Sequence, residues 1–160
     1  MLSDFKRVSV VVAPSYDLNN PVFKQLAQDF KKYWLSGCEP TLKFGRDTAL
    51  ERPNTIRDAG LAKIHVYSSH LSKKERNAWK RKNSSDHPFY RGTSNDILIY
   101  AVSEEGTAVL LAYHKSNGHK KMNDYPHLET LRIIAKKIFE RRGEQPILFD
   151  ALRQLYLPTG

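Results

Sequence analysis

Cysteine is almost missing from this chain: Cys38 stands alone among 160 residues, so no internal disulfide can form. Long apolar runs are missing too, and none approaches the roughly 20 residues that a membrane-crossing helix needs. There is no P-loop, no G-x-G-x-x-G and no G-x-S-x-G. Nucleotide hydrolysis, dinucleotide redox chemistry and α/β-hydrolase chemistry therefore lack their usual marks, and no glycine-rich cradle of the acyl-CoA transferase kind is present. Repeats, linkers and low-complexity segments are also lacking. Acidic residues are in short supply, 17 against 26 lysines and arginines, for a formal charge of +9. A basic surface attracts phosphate backbones, anionic lipids or acidic protein partners without choosing among them. Asp4 precedes the short apolar run near the N-terminus and no good cleavage site follows it, so the expectation is a reduced, cytoplasmic protein.

What is present suits one folded domain, 1–160, since this length buries a real core and the aromatics are plentiful. Residues 6–13, KRVSVVVA, predict a strand that stops at Pro14. Asn20 and Pro21 supply a cap and a first-turn proline for a helix bearing Val22, Phe23, Leu26, Phe30, Tyr33 and Trp34 and ending at Gly37. Residues 38–60, with their prolines and glycines, are expected to form loops and short turns around KFGRD. LAKIHVYS alternates as a strand, with Leu61, Lys63, His65 and Tyr67 on one face. LSKKERNAWKRKNSSDH predicts a basic helix or a mobile basic loop. DILIYAVS and TAVLLAYH form a hairpin about the turn EEG, and their apolar continuity places them at the sheet centre. Pro126 then opens a helix with Leu128, Leu131, Ile134, Ala135 and Ile138 on one face, ending near Gly143. The expected fold is α+β, a small antiparallel sheet with packed helices, with a core over 21–142 and a C-terminal appendage over 143–160.

The segment YHKSNGHKKMNDYPH, 113–127, gathers the chemistry. His114, His119, Asp124 and His127 are metal-ligand types, but their spacing matches no compact signature and Lys115, Lys120 and Lys121 repel a cation. Metal-free RNA cleavage needs a base for the ribose 2′-OH, a cation for the phosphate and an acid for the leaving 5′ oxygen. Histidines and lysines on one strand-to-helix connection offer both kinds of group, although a plain exposed polar loop has the same composition. In KFGRD, Arg46 is either held by Asp47 and aimed at a phosphate, with Gly45 supplying an unusual backbone angle, or it simply closes a turn. His65 on its strand is either packed or functional. In KKERNAWKRK, Lys80 and Arg81 can contact phosphates and Trp79 can stack on a base, or Trp79 anchors a solvated helix.

Between Gly37 and Arg142 the chain resembles the YafO family of bacterial type II toxins, which are ribosome-associated mRNA interferases. The likeness rests on Phe44 to Asp47 (FGRD) followed by Ala49 and Leu50, on KIHV around His65, on LIY and VLLAY, on Lys115 followed by His119 and Lys120, and on His127 opening a basic helix. The segment between His70 and Arg91 is longer and more basic than the resemblance leads one to expect. The resemblance implies a compact fold like the RelE group and the microbial ribonucleases, cleavage of translated mRNA in the ribosomal A site, and neutralisation by a small cognate antitoxin. Residues and resemblance together give the following expectation. His119 and His127 serve as acid and base in an unassigned order. Lys115, Lys120 and Arg46 bind the scissile phosphate, with Asp47 orienting Arg46, and His65 and Tyr100 are further candidates. No metal or other cofactor is expected. The rival readings are a non-catalytic basic RNA- or ribosome-binding module and a toxin-like protein acting on an uncharged protein target.

Overall fold

The structure is a computed structural model and describes residues 4–157; the ends of the predicted tail and of the N-terminal stretch, 158–160 and 1–3, lie outside the described residues. Asn20 caps helix α1 (Pro21–Leu35) by accepting the Val22 N–H at 2.9 Å, with Pro21 at the first turn. Its Leu26, Ala27, Phe30, Tyr33 and Trp34 are buried. Among the described residues five strands form one sheet: β1 (Ser9–Val12), β2 (Phe44–Ala49), β3 (Leu61–Val66), β4 (Ile97–Val102) and β5 (Thr107–His114), in the order β1-β5-β4-β3-β2. Only β1 runs parallel to its neighbour β5; the other pairs are antiparallel, as expected from the hairpin.

Strand β2 and the short helix α2 (Asn54–Arg57) replace the loops expected over 38–60. A register shift between Phe44 and Asp47 breaks the alternation that would announce a strand, so pairing with β3 rather than local pattern makes it one.

Strand alternation sorts the core into two layers. On one face Phe44, Ala62, Ile64, Leu98, Tyr100 and Leu110 pack under α1 and under the C-terminal helix α6 (Phe149–Gln154). Phe30 sits among Trp34, Phe44 and Tyr100 at ring-centroid distances of 6.2, 5.9 and 4.9 Å. The tail belongs to this layer: Leu152 and Tyr156 are buried, Tyr156 Oη meets Tyr100 Oη at 2.5 Å, and Ile147 N–H donates to the Val102 carbonyl. On the other face Leu61, Ile97, Ile99, Ala101, Val109 and Leu111 pack under α5 (Tyr125–Arg142), which Gly143 ends in a left-handed turn at φ 67°.

The basic segment is a helix, α3 (Lys73–Lys82), opened by a reciprocal capping box between Ser72 and Glu75. Trp79 is 1% exposed and its indole N–H donates to the Leu42 carbonyl at 2.8 Å. Trp79 therefore anchors the helix, and stacking on a base is ruled out for it. It rests on Gly45 and Gly92. A methyl at Gly45 would lie 2.2 Å from the Gly92 carbonyl oxygen and 2.6 Å from the Trp79 ring. Close approach, not an unusual backbone angle, is what reserves position 45 for glycine. Gly45→Ala is expected to cost about 1–3 kcal/mol through overpacking, read as a lower midpoint in urea unfolding; an unchanged midpoint would refute this account of the contact.

Candidate functional site

Helix α5 packs on its sheet face along β5, while Arg46, Thr48 and Lys63 on the β2–β3 half stay partly exposed. The sequence puts long polar side chains there instead of core residues: Arg46 and Thr48 on β2, Lys63 and His65 on β3. Thr48 and Lys63 join Phe89, Met122, Asn123 and Tyr125 in lining a groove of about 390 Å³. Phe89 lies on a 3-10 turn, Pro88–Tyr90, and its ring sits 5.3 Å below the Arg46 guanidinium carbon. Arg46 Nε is buried without a hydrogen-bond partner, a costly state for a cationic donor.

Asp47 does not orient Arg46. Adjacent residues of a strand point to opposite faces, and Asp47 turns into the α1 layer, fully buried. There it accepts hydrogen bonds from Tyr33 Oη at 2.7 Å and Tyr100 Oη at 2.5 Å. Burial pushes its carboxyl up to about 7, against the opposing pull of the two tyrosine bonds and of Arg7 and Arg91. Tyr100 belongs to this network, buried beside Tyr156, and lies away from the partly exposed face.

His119 comes to the partly exposed face because its loop is pinned. Ser116 N–H donates to Asp96 Oδ1 at 2.8 Å, Gly118 N–H to the Asn95 carbonyl at 2.8 Å, and His119 N–H to Asn95 Oδ1 at 3.0 Å. Gly118 starts the short helix α4 (Gly118–Lys121); a methyl there would lie 2.6 Å from the Ile97 side chain. The exposed His119 ring then sits 5.6 Å from the ring of His65. His65 is 2% exposed, with Nδ1 2.7 Å from the Ser94 carbonyl. The Ser94 N–H also lies 3.0 Å from Nδ1, so the Ser94 backbone can engage this nitrogen in either tautomer and holds the ring in place. Burial lowers His65 to about 4, the Ser94 bond opposes this, and Lys63, His119 and Arg46 add to the lowering, so it is neutral at neutral pH. Lys63 is also lowered, by burial first and then by Arg46.

The remaining candidates separate from this cluster. His127 Nε2 and His114 Nε2 are 2.8 Å apart, two imidazoles sharing one proton. Burial lowers both, His114 to about 4, with His127 and Lys121 contributing; Lys121 also lowers His127, and Asp124 opposes in each case. No hydrogen bond among the described residues links this pair to His65 or His119. Lys115 and Lys120 are exposed beside His119, and Lys80 and Arg81 are exposed on α3. Among the described residues no three His, Cys, Asp or Glu side chains converge in a metal-binding arrangement. Sequence reasoning missed Lys63, although its place two residues before His65 on an alternating strand was a usable signal; it also missed Phe89, which no local pattern marks.

A cationic face of this kind is not specific to one function, and comparison with known proteins narrows it. The family model described as toxin YafO of type II toxin-antitoxin systems matches residues 31–141. The chain belongs to the YafO toxin family. No curated protein and no solved structure matches it. As a YafO-family toxin it has a cognate antitoxin as partner. Arg46, Lys63, His65 and His119 of this YafO-family chain all fall within the matched span, as does the whole of α3. Among the described residues no helix is long and apolar enough to cross a membrane.

Proposed function

We propose that this toxin is an endoribonuclease that cleaves translated mRNA on the ribosome in the cytoplasm, without a metal ion, and so stops translation. The observation that supports this best is Arg46: a half-buried guanidinium on a partly exposed sheet face, held over Phe89, with Nε buried and unbonded, beside Lys63 and two imidazoles. A phosphodiester oxygen satisfies such a donor, and its charge offsets the two crowded cations.

In the proposed reaction Arg46 and Lys63 hold the scissile phosphate. A histidine takes the proton of the 2′-OH as that oxygen bonds to phosphorus, and a second proton carrier protonates the departing 5′ oxygen. His119 is one carrier, its ring placed by the neutral His65. His127, which with His114 stands apart from that cluster, is the other when the bound strand spans both, and the order is left open. Lys115 and Lys120 contact flanking phosphates. The products are a 2′,3′-cyclic phosphate and a 5′-hydroxyl.

Inducing the protein in cells and mapping mRNA ends tests this. Growth arrest with new cuts in translated messages, carrying cyclic or 3′-phosphate ends and persisting in EDTA with purified components, is the expected result. Products bearing 5′-phosphates would overturn the mechanism. Binding to RNA with no cut at all would leave the non-catalytic module as the correct reading.

A further inference from the structure

Helix α3 carries six cations, Lys73, Lys74, Arg76, Lys80, Arg81 and Lys82, and a single acid, Glu75, which is tied up in the capping box. None of the six takes part in an ion pair among the described residues. Trp79 marks the inward side. At 100° per residue, Lys73, Lys74, Lys80 and Arg81 lie on the opposite half, around Asn77. The pairs Lys73/Lys80 and Lys74/Arg81 are each seven residues apart, which puts two cations about 10 Å apart in each of two rows. Lys73, Lys74, Asn77, Ala78 and Arg81 border a shallow hollow between the rows. Five of the protein's nine net positive charges sit on this one helix.

We propose that the outer face of α3 is a second RNA-binding surface, distinct from the groove at Arg46, that grips the phosphate backbone of a folded, double-helical RNA. Charge complementarity selects a polyanion. The outer face of α3 itself holds no large apolar side chain, since its one aromatic is buried as its anchor and the exposed Leu42 and Tyr67 lie off to the Lys80 side, and this weighs against two other occupants. A protein partner needs apolar anchors in a desolvated centre, where lysine is depleted. Single-stranded RNA is held by exposed aromatics on which bases stack. What remains is sequence-independent contact with the phosphates of an A-form helix. In the proposed reaction the groove holds the strand that is cut, while α3 holds the RNA that presents it.

The test uses the full chain and a short blunt RNA duplex, with affinity measured by fluorescence anisotropy over a salt series. A quadruple variant, Lys73→Gln, Lys74→Gln, Lys80→Gln and Arg81→Gln, changes only exposed side chains. It is expected to lower the slope of log affinity against log salt by about 3, at somewhat under one unit for each lost phosphate contact, and to weaken binding at least tenfold. A control variant, Lys136→Gln, Lys137→Gln, Arg141→Gln and Arg142→Gln, removes the same charge from α5 and is expected to keep the wild-type slope. Equal losses in both variants, reflecting net charge alone, would overturn the proposal. So would an α3 variant with the wild-type slope, or one that loses only its neutralisation by antitoxin. The duplex offers no single strand to cut, so binding without any mRNA cleavage in cells counts against the nuclease reading alone. Cleavage with normal duplex binding by the α3 variant counts against this proposal alone.

Discussion

Arg46→Ala is expected to slow single-turnover cleavage of a ribosome-bound message about 100- to 1000-fold, the usual effect of removing one preorganised group from a developing phosphate charge. The loss should fall mainly on the rate and only weakly on binding, because the exposed lysines around the groove still attract the RNA. Arg46→Lys separates charge from shape. It keeps a cation but loses both the planar fork and the seat over the Phe89 ring, so it is expected to recover only a small part of the rate. His119→Ala should cost a comparable factor, within the roughly 10²–10⁴ range of general acid-base catalysis. The double variant should be far less than multiplicatively worse, because the two groups act on one transition state. Burial and then Arg46 disfavour the Lys63 cation until an anion arrives. Lys63→Ala is thus expected to weaken catalysis while leaving the folded protein no less stable. Wild-type cleavage rates in Arg46→Ala would remove the phosphate-clamp role of this residue.

Asp47→Ala is expected to destabilise the fold by about 2–3 kcal/mol, because it removes the buried acceptor of the Tyr33 and Tyr100 hydroxyls and leaves them only their contacts with Arg91 and Tyr156. Asp47→Asn keeps the volume and one acceptor, and its effect should depend on pH. Burial holds the carboxyl at about 7 in the folded chain against 3.8 for a solvated aspartate, so the folded state binds more protons between those values. Stability contributed by the protonated carboxyl is fully present below about pH 4 and is lost as pH rises through about 7. Asparagine has no such proton to lose. The difference between variant and wild type should therefore move in favour of Asp47→Asn by a few kcal/mol between about pH 4 and pH 7, on the order of 1.4 kcal/mol for each tenfold fall in proton concentration across that window, and level off above it. Urea unfolding at a series of pH values reads this directly, and a pH-independent difference would show that Asp47 is ionised throughout.

The four residues of FGRD carry four different jobs, and this shows where sequence reading reaches and where it stops. Phe44 enters the α1 layer, Gly45 makes room for Trp79, Arg46 lies over Phe89 and Asp47 caps two buried tyrosines. Alternation alone does not assign these faces, because the register shift lets Phe44 and Asp47, three residues apart, share the α1 layer. The bulge in β2 hides the strand, so Arg46 and Asp47 read as partners when they in fact lie back to back. His119 was legible as a candidate from its loop. That its neighbour is His65 was not, because the contact spans 54 positions and depends on Asn95 and Asp96 pinning the loop. His114 and His127 look separable in sequence and prove to be one pair, since the end of β5 meets the first turn of α5.

The sequence by itself determined the local elements: α1 through its cap and apolar stripe, the β4–β5 hairpin through its apolar runs and turn, the basic character of α3, and a family membership carried by short polar motifs. These follow from near-neighbour physics, in which spacing, caps and charge are written within a few residues. Only the tertiary structure decided which polar groups meet. Burial and pairing between distant segments put Asp47 in the core, Arg46 over Phe89 and His119 against His65, and the energies that place them arise from contacts no local pattern encodes.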